Sequence, residues 1–367
     1  MPRGFHSLDG EVAIETLTSQ IASIQDSSYP LADHSLPRAE LEIPFRDDYR
    51  RHELVGLNVF LLEMFDQFDP VLGIAETDYM TSASTGNRLA IENMVRQGRE
   101  ATAELTVEIV SATAGQLTAD VTVQNLVGHR LPSGVAFRRV WIELLLLDES
   151  RGGEVVWASG RTNSVGLIVD GLGEEPLPTE FFEGNRFQPH YHGIPGPGGE
   201  PAEAPPITRS DQVQIYEEVT LDGEDDVTFS FIHRDLHVKD NRLLPRGWVA
   251  SDQFEGEILQ QFMESTDPVG VGGDPDYASV KSFAGRDRVR YIVPVPEGVE
   301  PSDLTVQATL YSQSFQPFWL QRRFQLAGDT PAGRRLYYLA SHLQTQGTVI
   351  ENWKLRLVGA SKAVRER

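Results

Sequence analysis

The spacing of apolar residues changes at Glu104, and this change constrains the fold more than any other feature. Before it, residues 11–24, 47–68 and 85–103 carry apolar side chains at helical spacing. After it, Leu105, Val107 and Ile109 alternate with more polar neighbours, a period of two that is typical of a half-buried strand. We therefore predict a helical, loop-rich region over residues 1–103 and a β domain over residues 104–367.

The second region contains many short strand candidates separated by turn-forming residues, a pattern typical of a β-sandwich. Besides the strand that starts at Glu104, the candidates are residues 117–123, 140–147, 154–158, 212–219, 227–232, 289–295, 304–311 and 353–357. No helix of crossover length separates the early strands, which argues against a parallel α/β sheet. The prediction is a mainly β protein whose antiparallel, immunoglobulin-like sandwich carries long loop insertions at about residues 170–210 and 250–285.

The charge balance excludes two classes of partner. The chain has 54 acidic and 32 basic residues and a formal net charge of -22. A nucleic-acid-binding protein needs a basic surface for phosphate, and adhesion to anionic lipid needs one too, so neither partner is expected.

The longest strongly apolar run, residues 140–147, is too short to cross a bilayer. No basic segment followed by an apolar one marks a signal peptide at the N-terminus of this sequence.

Cysteine does not occur in the sequence. Disulfides, thiolate zinc sites, iron–sulfur clusters, cysteine nucleophiles and covalent haem attachment through C-x-x-C-H are therefore excluded. The sequence also lacks a G-x-S-x-G elbow, a P-loop and a dinucleotide-binding glycine motif. No catalytic machinery is therefore visible among these motifs.

Histidines are the remaining candidates for metal ligation. His190 and His192 form an H-x-H pair, and on a strand both rings would lie on one face, as metal sites often require. The Gly-Ile-Pro that follows also fits an exposed pair beside a turn. His233 and His237 are four residues apart without the glutamate of an H-E-x-x-H motif. A metalloenzyme would need several of these four histidines to converge.

Two further histidines have distinctive surroundings. His52 follows Asp47 and Asp48 near a helix start, where it is either a solvated side chain or an axial ligand for a cofactor of an adjacent module. His129 lies in the loop Asn-Leu-Val-Gly-His-Arg-Leu-Pro-Ser-Gly, which fixes the direction of its ring. That loop could equally be structural, with the ring covering one end of the sandwich.

Several segments resemble the C-terminal module of bacterial multihaem c-type cytochromes. Residues 121–160, VTVQNLVGHRLPSGVAFRRVWIELLLLDESRGGEVVWASG, resemble that family's strand, N-x-x-G-H-[KR]-x-P-[ST]-G loop, Arg-Arg pair and following strands. DQVQIYEE at residues 211–218, KDNRLLPRG at 239–247 and DRVRYIV at 287–293 follow in the same order. RHELVGLNVF at residues 51–60 is similar to the H-x-[FL]-x-G-x-N segment after the family's last haem motifs.

The resemblance implies a non-catalytic scaffold or docking module of an exported multihaem electron-transfer system, in the periplasm or outside the cell. It implies a multihaem cytochrome c partner, as an upstream segment or a separate subunit. Its haem c would be bound without covalent attachment to this chain. His52, His129 and His6 are then candidate axial ligands. Arg138, Arg139 and Arg242 are expected to pair with internal carboxylates or loop carbonyls, and a haem propionate is the alternative partner.

Other interpretations remain open at this point. The opening Met-Pro resembles the residues after C-x-x-C-H in the family, so the sequence could begin just behind a haem-attachment motif. A free-standing extracellular β-sandwich binding protein is the alternative function. A metal-dependent hydrolase or oxidase that uses His190, His192, His233 or His237 is the third.

Overall fold

The computed structural model describes residues 56–73, 86–196, 199–278 and 285–364. All of them belong to one compact unit, which spans residues 55–367. The helix predicted at residues 11–24, and the beginning of the one predicted at 47–68, lie outside the described residues. The predicted boundary between residues 103 and 104 is a change from helix to strand within this unit.

Six α-helices occur in the described part of the chain. They are α1 (Val59–Gln67), α2 (Asp69–Leu72), α3 (Gly86–Ala101), α4 (Glu257–Met263), α5 (Pro317–Ala327) and α6 (Pro331–His342). Asn58 caps α1, because its side chain accepts a hydrogen bond from the Leu61 N–H at 3.3 Å. None of the described helices is long and apolar enough to span a membrane.

Eleven strands make up the β structure of the described residues. They are β1 (Ala103–Ala112), β2 (Gln116–Asn125), β3 (Arg139–Asp148), β4 (Glu154–Ser159), β5 (Ile215–Tyr216), β6 (Glu218–Asp222), β7 (Val227–Thr228), β8 (Arg234–Asp240), β9 (Arg286–Pro294), β10 (Leu304–Gln313) and β11 (Leu355–Ala363).

Two antiparallel sheets form a sandwich. One has the order β1-β2-β9, and the other has the order β11-β10-β3-β4 with the short β5 paired to β3. This is the strand order of an immunoglobulin-like fold, in which a sheet of the first, second and fifth strands packs against a sheet that contains the third. Here β9 takes the place of the fifth strand, because β5 to β8 belong to an insertion. The predicted fold class is confirmed.

The core lies between these two sheets and extends to the helices. Alternation along β9 turns Val289, Tyr291 and Val293 inward, while its arginines lie on the outer face. By contrast, β3 is buried along most of its length, as expected of a central strand with both faces covered. Val59 of α1 and Ile91 of α3 belong to the same core cluster. The helices before the sandwich are therefore packed onto it.

A long insertion separates β4 from β9. It contains β5, which joins the second sheet, and a small antiparallel sheet of order β7-β6-β8. The segments predicted as loop insertions, about residues 170–210 and 250–285, flank this small sheet. In the described residues both contain only short helices, isolated bridges and turns. The insertion lies against the start of β9, where the buried site described below is found.

The sequence prediction differs from the structure in two places. The strand expected at residues 227–232 is only β7, and β8 follows after a turn. The apolar residues that suggested a longer strand lie on the surface, with Phe231 58% and Ile232 88% exposed. In addition, α5 and α6 lie between β10 and β11, in a region predicted to be all β. Each begins with proline in its first turn, a position that proline favours.

The three arginines that lie in the cytochrome-like segments have carboxylate or carbonyl partners within the chain. Arg139 is buried and bonds to both carboxylate oxygens of Glu180, at 2.6 and 2.8 Å. Arg138 donates to the Ser133 carbonyl at 3.1 Å. The guanidinium of Arg242 donates through Nε to Asp240 at 2.8 Å. The prediction of internal carboxylate and carbonyl partners is confirmed.

Candidate functional site

The His129 loop, residues 125–134, connects β2 toward β3. Asn125 is fully buried and holds the loop from inside. Its Oδ1 accepts the Val127 N–H at 2.9 Å, and its Nδ2 donates to the carbonyls of His129 at 2.8 Å and Leu244 at 3.0 Å. Because one side chain binds both ends of the turn and a distant segment, it fixes the conformation of the loop.

A second segment of the resemblance, residues 239–247, supports the same loop. Leu131 and Leu243 exchange backbone hydrogen bonds at 3.0 and 2.9 Å. Arg130 forms an ion pair with Asp240, at the end of β8. The loop is therefore tied to the insertion by both its backbone and its charged side chains.

A third segment of the resemblance, residues 56–58, lies beside the loop. Together they line a cleft of about 100 Å³. Its walls are formed by Gly56, Leu57, Asn58, Gln97, Thr102, Val127, His129, Leu131, Pro132, Ser133, Arg138, Ser312 and Ser314. Pockets that enclose a drug-sized molecule have volumes of about 300–1,000 Å³, so this cleft suits the edge of a ligand rather than a whole one.

His129 is exposed at this cleft, and its tautomer follows from one contact. Its Nδ1 lies 2.8 Å from the carbonyl oxygen of Arg130. A carbonyl can only accept, so Nδ1 carries the hydrogen and the neutral ring has its lone pair on Nε2. This is the arrangement in which a histidine binds a metal through Nε2. The other predicted haem ligands, His52 and His6, lie outside the described residues.

The buried centre is the second candidate site and consists of His190, His192, Asp274, Asp276 and Asp287. All five are buried. Asp287 occupies the first inward-facing position of β9, on the face that carries Val289 and Tyr291. The alternation of β9 therefore places a carboxylate where an apolar side chain is expected.

Both predicted metal-binding histidines converge on one carboxylate oxygen. Asp274 Oδ2 lies 2.8 Å from His190 Nε2 and 3.0 Å from His192 Nδ1. The other oxygen, Oδ1, accepts the Asp276 N–H at 2.8 Å and caps a short 3-10 helix. The two rings of the H-x-H pair thus share one side of their segment, and they are buried rather than exposed beside a turn.

The roles of the two histidines differ. His190 Nδ1 receives N–H groups from Gln214 at 3.0 Å and Asn241 at 3.2 Å, so it is an acceptor and Nε2–H donates to Asp274. Both of its nitrogens are thereby occupied, which makes it a residue that orients Asp274. His192 has no such set of partners. The geometry favours His192 over His190 as a ligand.

The remaining carboxylates are held by other parts of the sandwich and the insertion. Asp287 Oδ2 accepts from Gln214 Nε2 and from the Tyr216 hydroxyl, both at 2.7 Å. Asp276 accepts from Arg286 Nε at 3.0 Å and Arg288 Nε at 2.9 Å, one arginine on each oxygen.

The pKa values of Asp287, Asp274 and His190 are shifted in different directions. Burial, together with the nearby charge of Asp274, raises the pKa of Asp287 well above its usual value. Burial would also raise the pKa of Asp274, but contacts with His190 and His192 outweigh it and lower that pKa. Burial lowers the pKa of His190, which keeps its ring neutral.

Sequence reasoning missed the acidic members of the centre. Asp274-Pro275-Asp276 has the composition of a turn, and only its proximity to the histidines in space gives it another role. For Asp287 a signal existed, because the period of two in β9 predicts an inward carboxylate. His233 and His237 are exposed and lie outside the group, so the four histidines do not converge.

Comparisons with known proteins gave one structural similarity to report. No family model and no curated protein matches the chain. Among solved structures, a penta-haem cytochrome c552 from Thermochromatium tepidum matches with a TM-score of 0.36 and 13% sequence identity. The match covers 74% of this chain and 41% of that one, so the chain spans less than half of the cytochrome.

Proposed function

We propose that this chain is a non-catalytic docking module of an exported multihaem cytochrome electron-transfer system. The observation that carries the proposal is the convergence at the His129 loop. Residues 56–58, 125–134 and 239–247 all belong to segments that resemble multihaem cytochromes. The first two line one cleft, and the third is bonded to the His129 loop. Distant segments that resemble one family and build one surface support a shared role for that surface.

The cleft fits contact with a haem carried by another segment or another chain. It is too small to enclose a porphyrin, so the haem would lie over the cleft rather than inside it. His129 would present Nε2 to the iron while its Nδ1–H remains bonded to the Arg130 carbonyl. A second axial imidazole keeps the iron six-coordinate, which favours electron transfer over substrate binding.

The charge of the chain supports a partner with a basic surface. A net charge of -22 attracts cationic proteins over several ångströms and accelerates their encounter. It also favours the oxidised, more positive state of a nearby haem iron. Association with the cytochrome should therefore weaken as salt is added.

The first experiment is purification of the native protein from its own host, with its intact mass and its haem c content measured on one sample. A mass well above 40.9 kDa with covalent haem would identify an upstream haem segment. A mass of 40.9 kDa with a co-purifying multihaem cytochrome would identify a separate subunit. Isolation at that mass without any cytochrome would contradict the proposal and favour the free-standing binding protein.

The role of His129 is tested in the assembled complex. We expect His129→Ala to convert one low-spin haem to high spin, seen by electron paramagnetic resonance, because that iron loses an axial nitrogen. His342→Ala is the matched control, since His342 is also exposed and also bonds a backbone carbonyl through Nδ1, at 2.8 Å to Tyr338. If both variants leave every haem signal unchanged, His129 is not a haem ligand.

A further inference from the structure

His192 is the unexplained member of the buried centre. The residue is 1% exposed, yet neither of its ring nitrogens has a hydrogen-bond partner. Asp287 is 0% exposed, and its Oδ1 lacks a partner as well. Burying such groups without partners costs free energy, and native proteins rarely tolerate it. Unsatisfied atoms from two residues of one cluster indicate a ligand between them.

The distances within the cluster fit a shared metal ion. His192, Asp274, Asp276 and Asp287 each offer one ligand atom, and these four atoms lie within 4.8 Å of one another. His192 Nδ1 and Asp274 Oδ2 are 3.0 Å apart without a hydrogen bond between them. Two ligands about 2.1 Å from one metal ion, at an ordinary coordination angle, are about 3.0–3.4 Å apart.

The surroundings resemble the support that metal ligands receive in proteins. His190 donates to Asp274, and Gln214 and Tyr216 donate to Asp287. Ligating carboxylates are usually held by such hydrogen bonds, which fix their orientation. Arg286 and Arg288 hold Asp276 in the same way, with one arginine on each of its oxygens.

We propose that His192, Asp274, Asp276 and Asp287 bind one divalent transition-metal ion of the Zn²⁺ or Mn²⁺ type. The ligand set decides the class: imidazole suits first-row transition metals, while Ca²⁺ and Mg²⁺ prefer sites made of oxygen alone. His192 comes from a loop of the insertion, Asp274 and Asp276 from a short 3-10 helix and its cap, and Asp287 from β9. The ion therefore ties the insertion to the sandwich and is structural.

Metal content and thermal stability give the direct test. The full chain is unfolded in denaturant with a chelator, refolded without metal, and then titrated separately with Zn²⁺, Mn²⁺ and Ca²⁺. We expect one equivalent of Zn²⁺ or Mn²⁺ to bind. The Tm should rise by about 4 °C when the free metal is at 100 times its Kd.

Variants locate the site. Asp287→Asn and His192→Gln should each weaken Zn²⁺ or Mn²⁺ binding by at least about tenfold, because each removes a ligand. Asp148→Asn is the matched control: Asp148 is 1% exposed but lies outside the cluster, at the end of β3. It should leave metal affinity unchanged. Asp287→Asn keeps a carbonyl oxygen that can accept from Gln214 and Tyr216, so the metal-free protein should keep its Tm.

Three outcomes would overturn the proposal. One is that no cation binds at stoichiometric level or raises the Tm, which would make the cluster a metal-free polar network. The second is stabilisation by Ca²⁺ alone, which would contradict the transition-metal class. The third is equal loss of affinity in Asp148→Asn, which would point to a site elsewhere. None of these results depends on haem or on a cytochrome partner.

Discussion

Glu63 is an acidic residue on the core-facing side of α1, and its side chain is only 2% exposed. Burial raises its pKa, and Arg88, whose nearest nitrogen is 3.8 Å away, only partly offsets this effect. Arg88 is 54% exposed, so water screens its charge. Ionisation of this carboxyl group therefore costs more free energy in the folded protein than in the unfolded chain.

We predict that Glu63→Gln stabilises the protein at neutral pH and not in acid. Glu63 has a higher pKa folded than unfolded, so the folded state binds more protons and stability falls as pH rises from 4.5 through the folded pKa. The gain should be about 1 kcal/mol at neutral pH and should vanish near pH 4. Urea unfolding at both pH values measures it, and an equal gain at both would contradict the explanation.

At the scale of elements, α3 packs against β11 through a glycine. A Cβ atom built on Gly98 would lie 3.2 Å from a Leu357 methyl and 3.3 Å from a Leu57 methyl, closer than most side-chain contacts. The absence of a side chain therefore lets the helix approach the strand and the segment before α1. This contact joins the helical part of the chain to the sandwich.

We predict that Gly98→Val destabilises the protein by about 1–3 kcal/mol, because the larger side chain forces α3 away from β11. Gly86→Val in the same helix is the control, since nothing lies within 4 Å of a Cβ at Gly86. Its effect should stay below about 1 kcal/mol. The denaturant midpoints of the two variants measure the difference in stability. Equal losses of stability would show that helix propensity, and not packing against β11, causes the destabilisation.

The elements that the sequence predicted are those whose burial follows a simple period. β1, β2, β9 and β10 alternate inward and outward residues, and α3 has helical spacing, so local pattern was sufficient. By contrast, α5 and α6 were not predicted, although α6 buries Gly333, Leu339 and Ala340. Their position between two strands is set by tertiary packing, which no local pattern encodes.

The buried centre was predictable only in part, for a physical reason. The H-x-H spacing correctly placed both histidines on one side of an extended segment. Asp274 and Asp276 join them across a long stretch of chain, and no local pattern encodes such a contact. The His129 loop was found because its segments resemble a family, while its convergence with residues 56–58 and 239–247 emerged only from the fold.

At the scale of the whole molecule, the core cluster of the described residues begins at Val59 and ends at Val364 in the sequence. We predict that a chain beginning at residue 55 folds with one cooperative transition and a Tm within about 3 °C of the full chain. Differential scanning calorimetry measures both. A broad transition or a large loss of Tm would show that the first 54 residues contribute to this core.

The long insertion between β4 and β9 has a consequence for how the chain is made. Val121 of β2 pairs with Val289 of β9, and Leu144 of β3 pairs with Ala308 of β10. During synthesis, β2 and β3 leave the ribosome long before the strands that complete their sheets. Pairings so distant in sequence fold slowly, commonly in milliseconds to seconds, and leave apolar edges unprotected meanwhile. The nascent chain therefore has to keep the apolar run of β3 from aggregating until its last strands have emerged.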